Sequence, residues 1–148
     1  MRKIKLVLAV SLALAAGVTS ATAFASSATA NDGSCVVLGV RQPGTNIYDG
    51  PTWCGKVNLS YITVRGPLVL NNTMITGETD VSGPVDATDA SLKDVVLESQ
   101  ATAVDVTLQD STNVNGNITF NGSIPGVVYL ESGSKISGKV INGKIVNN

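Results

Sequence analysis

The sequence has 148 residues, with 10 basic and 11 acidic side chains, two cysteines and no histidine. This composition gives no basic face for nucleic acid, so we expect no nucleic-acid partner. The missing histidine removes the usual general base at neutral pH, and two cysteines alone do not complete a tetrahedral metal site. We therefore expect no bound metal and no cofactor.

The N-terminus has the pattern of a secretory signal peptide. Three basic side chains lie within the first five residues, an apolar run follows from Leu6 to Val18, and Ala23-Phe24-Ala25 provides a cleavage site. The alternative is an uncleaved membrane anchor, although the run is shorter than the roughly 20 residues of a spanning helix. We expect residues 1–25 to be removed, no transmembrane segment to remain, and the chain to be exported to the periplasm, the cell surface or the medium.

Residues 26–34 are small and polar, and we interpret them as a flexible leader. Residues 35–60 follow as a loop-rich N-terminal cap. In an exported chain, a pair of cysteines is expected to form a disulfide, here Cys35 to Cys54. Closing a loop of this length stabilises a fold by about 3 kcal/mol in the chain-entropy model.

A short repeat begins after the cap. Five segments read apolar, any, Gly or Ser, any, apolar, and a second apolar position recurs in the first three copies at Ile75, Leu92 and Leu108. The copies start at Val64, Val81, Leu97, Val114 and Ile136, which are 17, 16, 17 and 22 residues apart. A repeat this short cannot bury its own apolar face, so successive copies must stack.

We therefore predict an all-β fold, a single-stranded parallel β-helix (β-solenoid) of about five coils of roughly 17 residues that occupies residues 61–148. Apolar residues at alternate positions would form its core. The predicted core residues are Val64, Leu68, Leu70, Ile75, Val81, Val85, Leu92, Leu97, Leu108, Val114, Ile118, Phe120, Ile136 and Val140. On this assignment Ile118→Ala costs about 2 to 5 kcal/mol of stability, and Asn117→Ala is nearly silent.

From Val64 to Ile145 the glycine-containing units resemble the bactofilins and related polymer-forming bacterial proteins. The resemblance implies a compact β-helix that assembles by end-to-end contact. The chain differs from that pattern in its signal peptide and its cysteine pair, because bactofilins are cytoplasmic.

Carboxylates are concentrated between Glu78 and Asp110, where Lys93 is the only basic residue. The acids do not recur at one position of the repeat, and the sequence has neither a Gly-x-Ser-x-Gly elbow nor an Asp-x-Asp-x-Asp-Gly calcium loop. We interpret this region as a solvated acidic surface, and a metal or catalytic site is the alternative.

The aromatic residues Tyr48, Trp53, Tyr61 and Tyr129 offer rings for stacking on sugars. Three of them, Tyr48, Trp53 and Tyr61, lie in or beside the cap, where a small apolar core is the competing interpretation. At the other end, Ile141, Ile145 and Val146 leave the last coil apolar, without a polar cap. Such a coil either frays or recruits a partner.

The leading functional hypothesis is an exported, non-enzymatic structural or interaction protein that associates with itself through its C-terminal coil. The alternative is a carbohydrate-binding or adhesin module of the cell envelope, with envelope polysaccharide as the partner. A polysaccharide-active enzyme is the second alternative.

Overall fold

The computed structural model describes residues 33–98 and 102–148, and these residues form strands and turns without a helix. The all-β prediction is therefore confirmed for this part of the chain. The predicted signal peptide and residues 26–32 of the predicted leader lie outside the described residues.

Seventeen strands follow one another along the described chain, most of them short. They are β1 (Ser34–Val37), β2 (Val40–Arg41), β3 (Ile47–Asp49), β4 (Thr52–Gly55), β5 (Asn58–Leu59), β6 (Ile62–Arg65), β7 (Leu68–Asn71), β8 (Met74–Val81), β9 (Val85–Thr88), β10 (Ser91–Glu98), β11 (Asp105–Gln109), β12 (Asn113–Val114), β13 (Ile118–Asn121), β14 (Gly126–Leu130), β15 (Lys135–Ile136), β16 (Val140–Ile141) and β17 (Gly143–Asn147).

The strands form two sheets. A seven-stranded sheet has the order β1-β4-β7-β9-β11-β14-β17. A ten-stranded sheet has the order β15-β12-β10-β8-β6-β3-β2, with β13 between β10 and β16 and with β5 beside β8. Buried apolar residues of both sheets belong to one core cluster.

The predicted single-stranded parallel β-helix is wrong, because both sheets are mixed. Most neighbouring strands are parallel, but β1 pairs antiparallel with β4 and β2 pairs antiparallel with β3. The cause is a chain reversal inside the predicted cap. A turn between Gln42 and Ile47 includes Gly44 in the left-handed region (φ 73°), and it returns β3 against β2. No repeat pattern covers these residues, so the repeat did not reveal the reversal.

The predicted disulfide is confirmed. Cys35 and Cys54 are bonded, with their Cα atoms 4.0 Å apart, and they lie opposite each other in β1 and β4. Cys54 is fully buried. The disulfide therefore attaches the outermost strand of the seven-stranded sheet to the core.

The register of the strands follows the repeat except between the third and fourth copies, and Val114 lies opposite Ile136 as the repeat predicts. Val64 lies opposite Val81 and Val81 lies opposite Leu97. Leu97 then lies opposite Phe120, whereas Val114 lies opposite Leu92. The predicted alignment of the fourth copy was wrong because the connection from β10 to β11, residues 99–104, is longer than Gly66-Pro67, which joins β6 to β7.

Twelve of the fourteen predicted core residues are no more than 2% exposed. The other two, Ile136 and Val140, are only partly buried and pack against the core from its edge. The sequence analysis missed several equally buried residues. These include Ile62, Val95 and Val128. Tyr48, for which a cap core was the competing interpretation, is buried as well.

Glycine allows the connections between the sheets to pack closely. A Cβ atom on Gly83 would lie 2.7 Å from the carbonyl carbon of Gly66, and one on Gly66 would lie 2.8 Å from that of Gly50. Gly116 and Gly138 pack elsewhere, against Lys93, Asp94 and each other. The repeat places the glycines in one column. In the structure, Gly50, Gly66 and Gly83 form one column, and Gly116 and Gly138 form another.

A cavity substitution tests the inward assignment of β13. Ile118 is fully buried, so Ile118→Ala should lower the free energy of unfolding by about 2 to 5 kcal/mol. Thr119→Ala, one position along the same strand and partly exposed, should cost less than about 1 kcal/mol. Urea unfolding measures both values, and equal losses would contradict the assignment.

The control named from the sequence, Asn117→Ala, is unsuitable. The backbone N–H of Lys139 donates a hydrogen bond to Asn117 Oδ1 at 2.9 Å, and the N–H of Asn117 donates to Asp94 Oδ1 at 2.9 Å. The Asn117 side chain thus supports the next strand, and its removal leaves a backbone donor without that partner.

Candidate functional site

The first candidate surface is the C-terminal edge, which we define as strands β15, β16 and β17. One inward column runs through Leu68, Val85, Val106 and Val128 and ends at Ile145. The first four residues are at most 2% exposed, but Ile145 is 46% exposed. Ile145 occupies a core position that no further strand of the described chain covers.

The backbone is open at the same place. β17 is the last strand of the seven-stranded sheet and pairs only with β14 among the described strands. An outermost strand presents unpaired N–H and C=O groups, which favour addition of another strand. Ile141 in β16 is also 46% exposed. The C-terminal edge thus combines exposed aliphatic side chains with open backbone hydrogen-bonding groups.

The N-terminal edge, which we define as β1, β2 and the link Leu38-Gly39, has the same two features. β1 and β2 are the outermost strands of their sheets. Leu38 is 65% exposed, Val40 is 63% exposed and Val36 is 39% exposed. Residues 33–40 contain no charged side chain. Each end of the two-sheet core therefore exposes aliphatic residues beside an outer strand.

The second candidate surface is a shallow groove on the outer face of the seven-stranded sheet. It is lined by Pro67, Leu68, Val69, Pro84, Val85, Asp86, Asp105 and Thr107. Asp86 Oδ1 is buried there and accepts no hydrogen bond from the described residues. A buried acceptor without a donor is costly, so a donor group that reached this oxygen would be stabilising.

Burial, and secondarily the negative charge of Glu131, raises the pKa of Asp86 above its ordinary value of 3.8. Both effects disfavour the ionised carboxylate.

Two aromatic rings flank this groove. On the outer face, Trp53, Val69 and Asp86 lie opposite one another in successive strands. The column continues through Thr107 to Tyr129. Four strand spacings separate the two aromatic residues, a distance of about 19 Å.

The three aromatic residues predicted for ligand stacking do not share a surface. Tyr48 is 2% exposed and lies in the core, with the Arg41 guanidinium 5.5 Å from the centre of its ring. Tyr61 is 41% exposed and precedes β6 in the ten-stranded sheet, whereas Trp53 lies on the other sheet. Tyr129 is the aromatic residue that lies on the same face of the sheet as Trp53. Its position next to the inward Val128 was the available signal that Tyr129 faces outward.

The acidic region divides between the two sheets. Asp86 and Asp105 line the groove, whereas Glu78, Asp80 and Glu98 lie on strands of the ten-stranded sheet. Burial first, then Glu98 and Glu78, raise the pKa of Asp80, and Arg65 opposes them.

Arg65 donates a hydrogen bond to Asp49 at 2.7 Å. No group of three His, Cys, Asp or Glu residues in residues 33–98 and 102–148 is arranged to hold a metal ion. Within the same ranges, no helix is long and apolar enough to cross a membrane.

Asp86→Asn tests the electrostatics of the groove. Because the pKa of Asp86 is raised on folding, the folded chain binds the proton more tightly than the unfolded chain, and this residue lowers stability as pH rises from 3.8 through the raised pKa. Relative to the parent, Asp86→Asn should therefore gain stability between acid and neutral pH. Urea unfolding across that range measures the difference.

Glu131→Gln removes only the charge that contributes to the raised pKa of Asp86 and leaves the burial. It should therefore give a smaller gain in stability than Asp86→Asn. The same pH dependence in the parent and in Asp86→Asn would contradict the assignment, as would an advantage of the parent that grows toward neutral pH.

Comparisons with protein-family models, with curated proteins and with solved structures find no match for this chain. The resemblance to bactofilins rests on the sequence pattern alone and stays a prediction. The β-helix that it implies differs from the two mixed sheets observed. The candidate functions are therefore derived from the two surfaces described above.

Proposed function

We propose that the chain is an exported, non-enzymatic structural protein that associates with itself through its C-terminal edge. One observation carries the proposal: Ile145 continues a column of buried core residues and is nevertheless 46% exposed. Covering this side chain removes apolar surface from water, which stabilises association.

The open backbone of β17 adds a directional component to this association. Strand addition at a sheet edge supplies main-chain hydrogen bonds, and the side chains at alternate positions supply specificity. β17 has five residues, more than any of the other strands at the C-terminal edge. A second chain that adds a strand here would pair with β17 and cover Ile145 at once.

Export is supported by two features of the chain. The first is the signal-peptide pattern of residues 1–25. The second is the disulfide between Cys35 and Cys54, since disulfides persist mainly in oxidising compartments. With both cysteines bonded and no histidine in the sequence, a structural role accords with the residues present.

Ile145→Lys tests self-association. The substitution places a charge where an apolar contact is proposed, and the lost burial of one isoleucine is worth about 1.5 to 3 kcal/mol, or at least a ten-fold weaker association. Size-exclusion chromatography with light scattering should show oligomers of the parent whose mass rises with concentration. The variant should shift toward the monomer.

Met74→Lys is the matched control, because Met74 is also 46% exposed but lies in β8, away from both edges. It should assemble like the parent. A parent that stays monomeric at every concentration, or a control that dissociates as fully as Ile145→Lys, would overturn the proposal.

A second candidate function is carbohydrate binding on the outer face of the seven-stranded sheet. The observation that favours it is the column in which Trp53 and Tyr129 flank the unpartnered Asp86 Oδ1. Sugar hydroxyl groups donate hydrogen bonds to carboxylates, and the apolar faces of sugar rings stack on aromatic side chains. The prolines and Val69 of the groove add apolar surface between the two rings.

Trp53→Ala and Tyr129→Ala should each weaken binding to an envelope polysaccharide, with Tyr61→Ala as the control on the other sheet. One lost stacking contact is worth about 1 kcal/mol or more, which corresponds to a several-fold loss of affinity. Glycan arrays followed by affinity electrophoresis provide the measurement. Binding that is absent in the parent, or that Tyr61→Ala weakens as much as Trp53→Ala, would count against this function.

A further inference from the structure

We infer that the surface covering the C-terminal edge is the N-terminal edge of a second copy of the same chain, so that the copies join head to tail. This inference rests on the proposed self-association and names its partner surface. Its support comes from strand direction, from the pattern of exposed residues and from charge.

Strand direction fits this contact in both sheets. The strands from β4 to β17 of the seven-stranded sheet are parallel to their neighbours, and only β1 is antiparallel. A second copy stacked in the same orientation therefore presents its β1 antiparallel to β17. In the ten-stranded sheet, β2 is likewise antiparallel to β3. The β2 strand of the second copy is therefore antiparallel to β15 or β16 of the first copy. Both sheets can thus continue into the next copy through ordinary antiparallel pairs.

The outward residues also come into register. Val36 lies opposite Trp53, and the column of Trp53 ends at Val146 through Tyr129. When the column continues into a second copy, its Val36 faces Val146. Ile145, the neighbour of Val146, then points toward the inward side of β1, where Val37 packs against the core. The outer column and the core column are both extended by one strand.

Charge favours this contact over one between two C-terminal edges. β17 carries Lys144, β15 carries Lys135, and Lys139 directly precedes β16. Two C-terminal edges in contact would place these lysines near their own copies, and like charges in direct opposition are destabilising. Residues 33–40 carry no charge, so β1 accepts Lys144 without that repulsion. β2 carries one charged residue, Arg41, which contacts the ring of Tyr48 in its own chain. The head-to-tail contact thus brings one cation toward the three lysines, whereas two C-terminal edges would bring three.

Thiol crosslinking between two single variants tests the contact. Val36→Cys and Val146→Cys place thiols on the outer face at opposite ends of the chain, where neither substitution opens the core. The two exported full-length proteins carry tags of different mass, and they are mixed and treated with a short bismaleimide at slightly acid pH. These conditions keep the thiolate fraction low and slow exchange with the native disulfide.

The head-to-tail contact predicts that the mixed dimer is the dominant product and that peptide mapping finds residue 36 joined to residue 146. Met74→Cys, mixed with either variant, is the control and should give only background crosslinking. Light scattering is recorded on the same samples.

Three results overturn the inference in distinguishable ways. Oligomers in which Val146→Cys crosslinks to itself or to Lys144→Cys, and not to Val36→Cys, indicate two C-terminal edges in contact and leave self-association standing. Oligomers without any of these crosslinks assign the contact to another surface. Monomers by light scattering remove the proposed function together with the inference.

Discussion

The fold depends on the stacking of inward apolar side chains at equivalent positions of successive strands. In the seven-stranded sheet the column from Leu68 to Val128 is almost completely buried, and each member is covered by the strand on either side. Strands of two to eight residues are too short to be stable alone. They persist because each one closes the apolar surface left by its neighbour. The same constraint explains the C-terminal edge, where the column reaches Ile145 and has no described strand beyond it.

Much of this arrangement was predictable from local pattern. Alternation of apolar residues, as in Leu68 and Leu70, predicts strands with one buried face, and the spacing of Val64, Val81 and Leu97 predicts neighbours that the pairing shows. The prediction failed between the third and fourth copies, although Val114 does lie opposite Ile136 as predicted. Val114 matches the repeat in residue type but lies opposite Leu92, because register is set by the strands that pack and not by a constant spacing. Pro43-Gly44 is a typical turn signal, but the repeat does not cover these residues, so it did not predict that the turn pairs β2 antiparallel with β3.

The candidate surfaces were harder to predict than the core. Inward positions are constrained to be apolar, whereas outward positions accept almost any residue, so their sequence carries no periodic signal. Trp53 and Tyr129 lie in one column only because of the register of β4, β7, β9, β11 and β14. Tyr48 had two competing interpretations, ligand stacking and a cap core, and its burial agrees with the second. The sequence identifies the candidate aromatic residues, and only the pairing of the strands determines which of them share a face.

The position of the disulfide has a consequence for how the chain responds to reduction. The Cys35–Cys54 bond holds a single terminal strand, while the columns beyond β4 contain no sulfur link. Loss of the bond would therefore allow β1 to detach by local fraying, and the body of the two sheets would remain folded. The attachment of β1 would then depend on oxidising conditions, whereas the folding of the two sheets would not. In a thiol-rich compartment, the two sheets would therefore be folded while β1 is detached.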